Sequence, residues 1–298
     1  MSLPPLTTDV ALFARLHRRF VDRARDVIPW GALDASRLDD VTRERTRRAW
    51  SMRVAAEYRS MVVFCEMLAR LPEAGVALPV VTAMTRVIQD ESRHTELCAR
   101  VADALGGHGD APVDARALRL QTTAIPARLF VARWTVSMFC VGESSSVALL
   151  RMLERHATDA CARAVLGVIR RDEALHDRFG QALARCILPT LTEEERVWLA
   201  GDLALAFAHY ERVNAGDVPE EATEPARAEV DLGLASPESF ARTFRSHVEA
   251  RVIPSIEALG LPARAAWEHR AEVAAMTSPP AAARPLSLSR EGALYADE

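Results

Sequence analysis

Two short segments of this sequence carry the residue types from which a metal site can be built. Asp90-Glu91-Ser92-Arg93-His94 and Asp172-Glu173-Ala174-Leu175-His176 both read Asp-Glu-x-x-His. On a helix, Glu and His three apart lie on one face, so both side chains reach the same ion. A single such motif is more often a surface ion pair. Two copies among eight histidines, each with the same preceding Asp, make a far rarer coincidence. Both copies also sit on apolar stripes. Met84, Val87 and Ile88 lead into Glu91 and His94, with Cys98 and Val101 beyond; Leu166 and Ile169 lead into Glu173 and His176, with Gly180 and Leu183 beyond. A carboxylate on a buried stripe must be paired, protonated or bound to a cation.

Two motifs supply two carboxylates and two imidazoles, so a pair of ions needs further acids from facing helices. Across an antiparallel hairpin, a ligand level with Glu91 must have its sequence midpoint with Glu91 in the connecting turn. Glu57 meets this condition, because the midpoint is Ala74 within Pro72-Glu73-Ala74-Gly75, and Glu57 lies on the stripe Trp50, Val54, Met61, Phe64, Leu68. Glu66 fails it, since its midpoint with Glu91 falls past the turn; with Arg59 and Arg70 on its face it reads as a solvated ion-pair residue. Glu143 meets the same condition with Glu173, the midpoint being Thr158 in His156-Ala157-Thr158-Asp159. Each arm then runs about 16 residues, or about 24 Å, from ligand to turn. Glu57 with Glu91 and His94, then Glu143 with Glu173 and His176, form an internal repeat of two hairpins about a pseudo-twofold axis.

This pattern, over roughly residues 45–190, resembles the ferritin-like di-iron carboxylate proteins, a group that includes monooxygenase hydroxylases, ribonucleotide reductase small subunits, bacterioferritin and arylamine N-oxygenases. The resemblance implies an all-α fold, a ferritin-like four-helix bundle with additional N- and C-terminal helices. It implies two iron ions, with manganese or a mixed pair as alternatives. It makes Glu91 and Glu143 the candidates to bridge the ions, with Glu57 and His94 completing one site and Glu173 and His176 the other. It also gives the aspartates a role: Asp172 would orient His94 and Asp90 would orient His176, each from the opposite motif. Arg93 gives the first motif the Asp-Glu-x-Arg-His form of the monooxygenase hydroxylases, whereas Leu175 stands there in the second. Cys98 occupies the place of the reductase radical tyrosine, which argues against a stored radical, and Ile169 occupies that of the extra N-oxygenase histidine.

The function so implied is a dioxygen-activating oxidoreductase, a monooxygenase that hydroxylates or N-oxygenates a small organic substrate. No Gly-x-Gly-x-x-Gly occurs, so electrons would come from a separate ferredoxin or reductase. Met61, Phe64, Phe139 and Cys140 lie about one turn from the ligands and either line an apolar pocket or simply pack the core. The competing reading is a ferroxidase or iron-handling protein with no organic substrate. The hundred or so residues beyond the bundle exceed what a ferritin cage requires; they would cover the site or form a homodimer face.

The elements needed to position these residues are legible. Of 298 residues, 49% are hydrophobic and 13 are glycine, and spacings of three and four dominate. Helices are predicted at about 8–28, 37–70, 78–105, 123–155, 159–188, 192–213 and 236–259. A single domain is expected over 1–276, with the metal-binding part at about 37–190, a loop at Asn214 to Pro225, and a Pro/Ala/Ser-rich tail at 277–298. The net charge of −4 gives no footprint for nucleic acid or an anionic membrane surface. No apolar run of membrane-spanning length and no signal peptide is readable, so a cytoplasmic location is expected. The five scattered cysteines contain no Cys-x-x-Cys, and most read as small core residues.

Overall fold

Four long helices with explicit start signals carry the candidate ligands. In the computed structural model, which describes residues 10–23, 26–108, 118, 120, 125–215 and 224–277, a short helix α1 (Ala11–Val21) precedes them. Helix α2 (Asp40–Arg70) begins where the Asp39 carboxylate accepts the Thr42 N–H at 2.9 Å. It ends at the turn holding Gly75, whose φ of 73° suits glycine. Helix α3 (Leu78–Ala104) has Pro79 in its first turn and ends at Gly106 and Gly107, both with positive φ. Helix α4 spans Ala127–His156, and α5 (Ala160–Ile187) starts on an Asp159 cap to the Ala162 N–H.

α2 packs along α3 and α4 along α5; α3 also lies against α5, and α2 against the start of α4. Helix α6 (Glu193–Ala215) opens on the expected acidic turn, with Thr192 and Glu195 capping each other reciprocally. It covers the middle of α4. No strand occurs among the described residues, and the fold is all-α.

The middle of α4 departs from the expected regular helix. Ala127–Trp134 and Ser144–His156 are α-helical, but Thr135–Glu143 is wound as π-helix. Such wider turns in an α-helix concentrate at functional positions, and this one ends on Glu143. Gly180 of α5 faces it, and an added methyl there would overlap the Cβ of Phe139. α4 is apolar and long enough to cross a membrane by length and composition, but 67% of its most apolar window is buried in protein.

Several boundaries differ from expectation. The helix predicted over 8–28 stops at Val21, because the Val21 carbonyl is taken by the Arg93 guanidinium at 2.9 Å instead of continuing the helix. The helix predicted over 236–259 is three pieces, Pro237–His247, a π turn at Val248–Val252 and Ile253–Glu257. Two helices were not foreseen: α7 (Arg227–Asp231), just after the expected loop, and Ala263–Thr277, beyond the Gly260 turn. Of the expected loop, 216–223 lies outside the described residues, as does 278–298 of the expected tail. Cys98, Cys140 and Cys161 are buried, and Cys65 and Cys186 are exposed.

The apolar interior divides into two clusters. One holds Phe64, Met84, Val87, Phe139, Val141 and Leu183; the other holds Trp50, Val54, Leu97, Cys98, Leu166 and Ile169. On α2, α3 and α5 the candidate ligands fall between residues of the first cluster and residues of the second. They form a polar layer between two apolar ones.

Candidate metal centre

The structure brings all six predicted residues together. Glu57, Glu91, His94 and Glu173 form one group of possible metal ligands, and Glu91, Glu143, Glu173 and His176 form a second, the donor atoms within each lying no more than 4.8 Å apart. Glu91 and Glu173 belong to both groups. Of the two bridging candidates that the resemblance suggested, Glu91 belongs to both groups and Glu143 to one. The reason is geometric, since the Glu-x-x-His glutamates on α3 and α5 sit on adjacent helices facing each other, while Glu57 and Glu143 approach from the far side.

Both imidazoles turn the same atom inward. His94 Nδ1 lies 3.4 Å from Glu57 Oε2 and 3.3 Å from Glu173 Oε1. His176 Nδ1 lies 3.1 Å from Glu91 Oε1 and 3.3 Å from Glu173 Oε2, with Glu143 at 3.8 Å. The two rings stand 5.9 Å apart between centroids. The Nε2 atoms face outward to the aspartates in the crossed sense that the resemblance implied. Asp172 Oδ2 is 3.4 Å from His94 Nε2 and Asp90 Oδ2 is 3.8 Å from His176 Nε2. An Nε2–H directed at a carboxylate leaves the Nδ1 lone pair free to bind a cation.

These groups are buried, and the protein alone does not satisfy them. Glu91 Oε1, His94 Nδ1, Glu173 Oε2 and both nitrogens of His176 are shielded from solvent without a hydrogen-bond partner. Apart from His176 Nε2, which faces Asp90, these unpartnered atoms converge on one region, and they are costly unless something fills it.

The proton affinities carry the same message. Burial, then the charge of Glu173, pushes Glu91 up to about 8, and the same two causes raise Glu143 well above the carboxylate range. Burial opposes charge on Glu173 as well, but contacts with Glu143 and His176 outweigh it and hold Glu173 low. Burial also opposes charge on both histidines, yet the carboxylates around them raise both well above 6.5. Burial and crowded carboxylates thus favour the protonated forms of these groups, and a divalent cation bound by the same atoms would compete with those protons. Oxygen and imidazole donors without thiolate suit iron or manganese. The residues present fit a metal.

An outer network that the sequence did not reveal surrounds the aspartates. Arg23 donates to Asp90 at 2.7 Å and approaches Asp172 at 3.8 Å, while Arg86 donates to Asp90 at 2.8 Å. Arg93, only 1% exposed, joins the Val21 carbonyl, Asp26 at 2.8 Å and Asp172 at 3.4 Å. Arg171 holds the other oxygen of Asp26 at 2.7 Å. No spacing rule within a helix relates residues 21–26 to residues 90–93, so only Arg93 was singled out beforehand.

Two other expectations resolve differently. Glu66 is not a solvated ion-pair residue: its Oε2 accepts the backbone N–H of Leu120 at 2.7 Å, fixing the chain before α4. Phe64, Phe139 and Cys140 are fully buried, with the two phenyl rings stacked at 4.7 Å, while Met61 is partly exposed. No protein-family model matches this chain, and no curated protein matches it.

Proposed function

We propose that this protein is a ferritin-like di-metal oxidoreductase, binding two iron ions, or manganese in their place, and using dioxygen to hydroxylate or N-oxygenate a small organic molecule. The observation that carries the reading is the pair of overlapping ligand groups that share Glu91 and Glu173. Glu91 and Glu173, with Glu57, His94, Glu143 and His176, would hold the two ions between the two apolar clusters, and the ions when bound would supply the reduction of dioxygen.

The chain's own residues have definite parts. Glu91 and Glu173 span the two positions, Glu57 and His94 complete one, and Glu143 and His176 complete the other. Asp172 fixes the imidazole tautomer of His94, and Asp90 sets a negative charge behind His176. The stacked Phe64 and Phe139 keep water from one side of the layer. Electrons come from a separate ferredoxin or reductase, and the functional unit is a homodimer. Helix α6, which covers α4 where a ferritin cage would need only the bundle, favours an oxygenase over an iron store.

Anaerobic reconstitution with ferrous iron tests the reading. The expected result is two ions per chain, lost together when Glu91 or Glu173 is replaced, followed by rapid dioxygen consumption on mixing with air. A protein that takes up neither iron nor manganese overturns it. Iron oxidised and retained in large multiples per chain, with a shell-sized particle on size exclusion, would favour the iron-handling alternative.

A further inference from the structure

We propose that Arg53 anchors the anionic group, a carboxylate, of the small molecule oxidised at the metal centre. The inference rests on the functional reading above and adds the substrate class to it.

The ligand layer has one accessible side. Both histidine side chains are fully buried, and those of Glu91 and Glu173 nearly so, while Glu57 is 16% exposed and Glu143 10%. Glu57 belongs to α2 and Glu143 to α4, so the less buried edge of the layer lies on the side of those two helices. In one direction along it, Phe64 and Phe139 stack, and Phe179 meets Phe139 edge-on at 5.2 Å. In the other direction the segment beginning with α7 packs on α2 and α4. It is pinned by Trp50 Nε1, which donates to the Leu232 carbonyl at 3.0 Å.

Arg53 lies between that segment and the metal ligands. It is one helical turn before Glu57, about 6 Å along the axis. Its NH2 donates to the Gly233 carbonyl at 2.7 Å, and its guanidinium sits 4.6 Å over the Trp50 ring. Two contacts thus fix its position, yet NH1 is shielded from solvent and has no hydrogen-bond partner. Arg23 and Arg70 also have an unpartnered buried nitrogen, but each forms an ion pair, with Asp90 and with Glu73. Arg53 forms none among the described residues.

Burial weakens the hold of Arg53 on its proton, and the acids that oppose this are Cys98 and Glu57, acting at a distance. The Cys98 thiol is itself held neutral by burial. Once Glu57 ligates a cation it no longer offsets Arg53, and a fixed guanidinium with a shielded, unpartnered NH1 remains beside a centre whose four carboxylates are neutralised by two divalent ions. An anion is the partner that this environment lacks, and guanidinium N–H groups match carboxylate oxygens. The fitting molecule is a small monocarboxylate whose apolar body extends over the ligand layer toward Phe64 and Phe139.

Isothermal titration of the manganese-loaded protein with benzoate and hexanoate, and with benzamide and hexanamide, tests this. The wild-type protein should bind at least one carboxylate about ten-fold more tightly than its amide, a charge-assisted hydrogen bond's worth. Arg53→Gln should abolish the preference while metal content stays unchanged, and Arg53→Lys should restore part of it. No carboxylate preference in the wild type overturns the proposal. So does a preference that survives Arg53→Gln, because the anion would then be bound by the metal ions directly. If Arg53→Gln does not fold, Arg53→Met, which keeps the apolar stem without the charge, should lose the preference, and a preference that survives there likewise overturns it. A wild-type chain that binds no metal defeats the functional reading instead, and a carboxylate preference measured on that metal-free chain would leave the anion site standing.

Discussion

His94 and His176 carry the same motif and turn the same nitrogen inward, yet what stands behind each of them differs. Behind His94 lies a layer of ions: Asp172 contacts Arg93 and Arg23, and Arg93 reaches Asp26 and the end of α1. Behind His176, Asp90 is paired with Arg23 and Arg86, but the counterpart of Arg93 is Leu175, which is exposed. The second half relies instead on backbone shape. The π turns of Thr135–Glu143 deliver Glu143, with Gly180 admitting Phe139 at close range and Tyr210 pressed against Gly142. A repeat in sequence has been positioned in both halves by ion pairs that include Arg23, extended in the first half by Arg93 and Asp26 and joined in the second by helix geometry.

That contrast can be broken at its centre first. Glu173 serves both halves and Glu57 only one. Glu173→Gln should therefore lose both ions, while Glu57→Gln retains about one per chain, as read by metal analysis after dialysis. Equal metal content in the two variants would mean that the halves do not share Glu173.

The charge network is the next target. Arg93→Leu makes the first motif resemble the second and leaves Asp26 and Asp172 short of a buried partner. It should destabilise the metal-free protein by about 3–5 kcal/mol in urea denaturation. The converse change, Leu175→Arg at an exposed position, should shift stability by no more than about 0.5 kcal/mol. Similar losses from both would erase the distinction between the halves.

For the second half, Gly180→Ala tests the shape argument. The added methyl meets Phe139 next to the backbone, where nothing can swing aside, so a loss of about 1–3 kcal/mol is expected with the outer ion pairs intact. Wild-type stability in this variant would show that the π segment is free to shift.

Acid should separate the halves most gently. His209 lies on α6, which covers the π segment. Burial, then Arg59 and Arg212, pushes its pKa down to about 3. Because the folded value is below the unfolded one of about 6.5, its neutral form favours folding fully above that pH. The contribution is lost as pH falls toward 3, by at most about 1.4 kcal/mol per pH unit. Behind His176, burial would raise Asp90, but His176, Arg86 and Arg23 hold it well below the usual range, so it stays ionised throughout that interval. His209→Gln should flatten the stability profile between about pH 6.5 and pH 5, measured by urea denaturation.

Much of this arrangement could be read before the structure was seen, and the reasons are specific. The midpoint argument brought Glu57 and Glu143 to the site because the stretches between each ligand and its turn are regular helix. The π turns of α4 all lie before Glu143, so they do not disturb the count. They were themselves invisible, since Thr135–Glu143, with Val136, Met138, Phe139, Cys140 and Val141 as its apolar residues, carries no period from which a wider turn could be inferred. α1 was drawn too long because nothing local marks Val21 as the place where a carbonyl is claimed by an arginine 72 residues away. Glu66 was misread because its partner, the backbone of Leu120, has no side-chain signature.

The sequence by itself determined the helical period, the caps, the two Asp-Glu-x-x-His faces and the height at which six ligands meet, because each follows from a spacing along one helix or across one short turn. Only the tertiary structure decided that Glu91 and Glu173 belong to both candidate ligand groups, that Arg23 and Asp26 close over the aspartates, and that Arg53 has no ion-pair partner among the described residues. Those outcomes depend on which faces of separate helices come together, and contacts between distant segments leave no periodic trace in the chain that makes them.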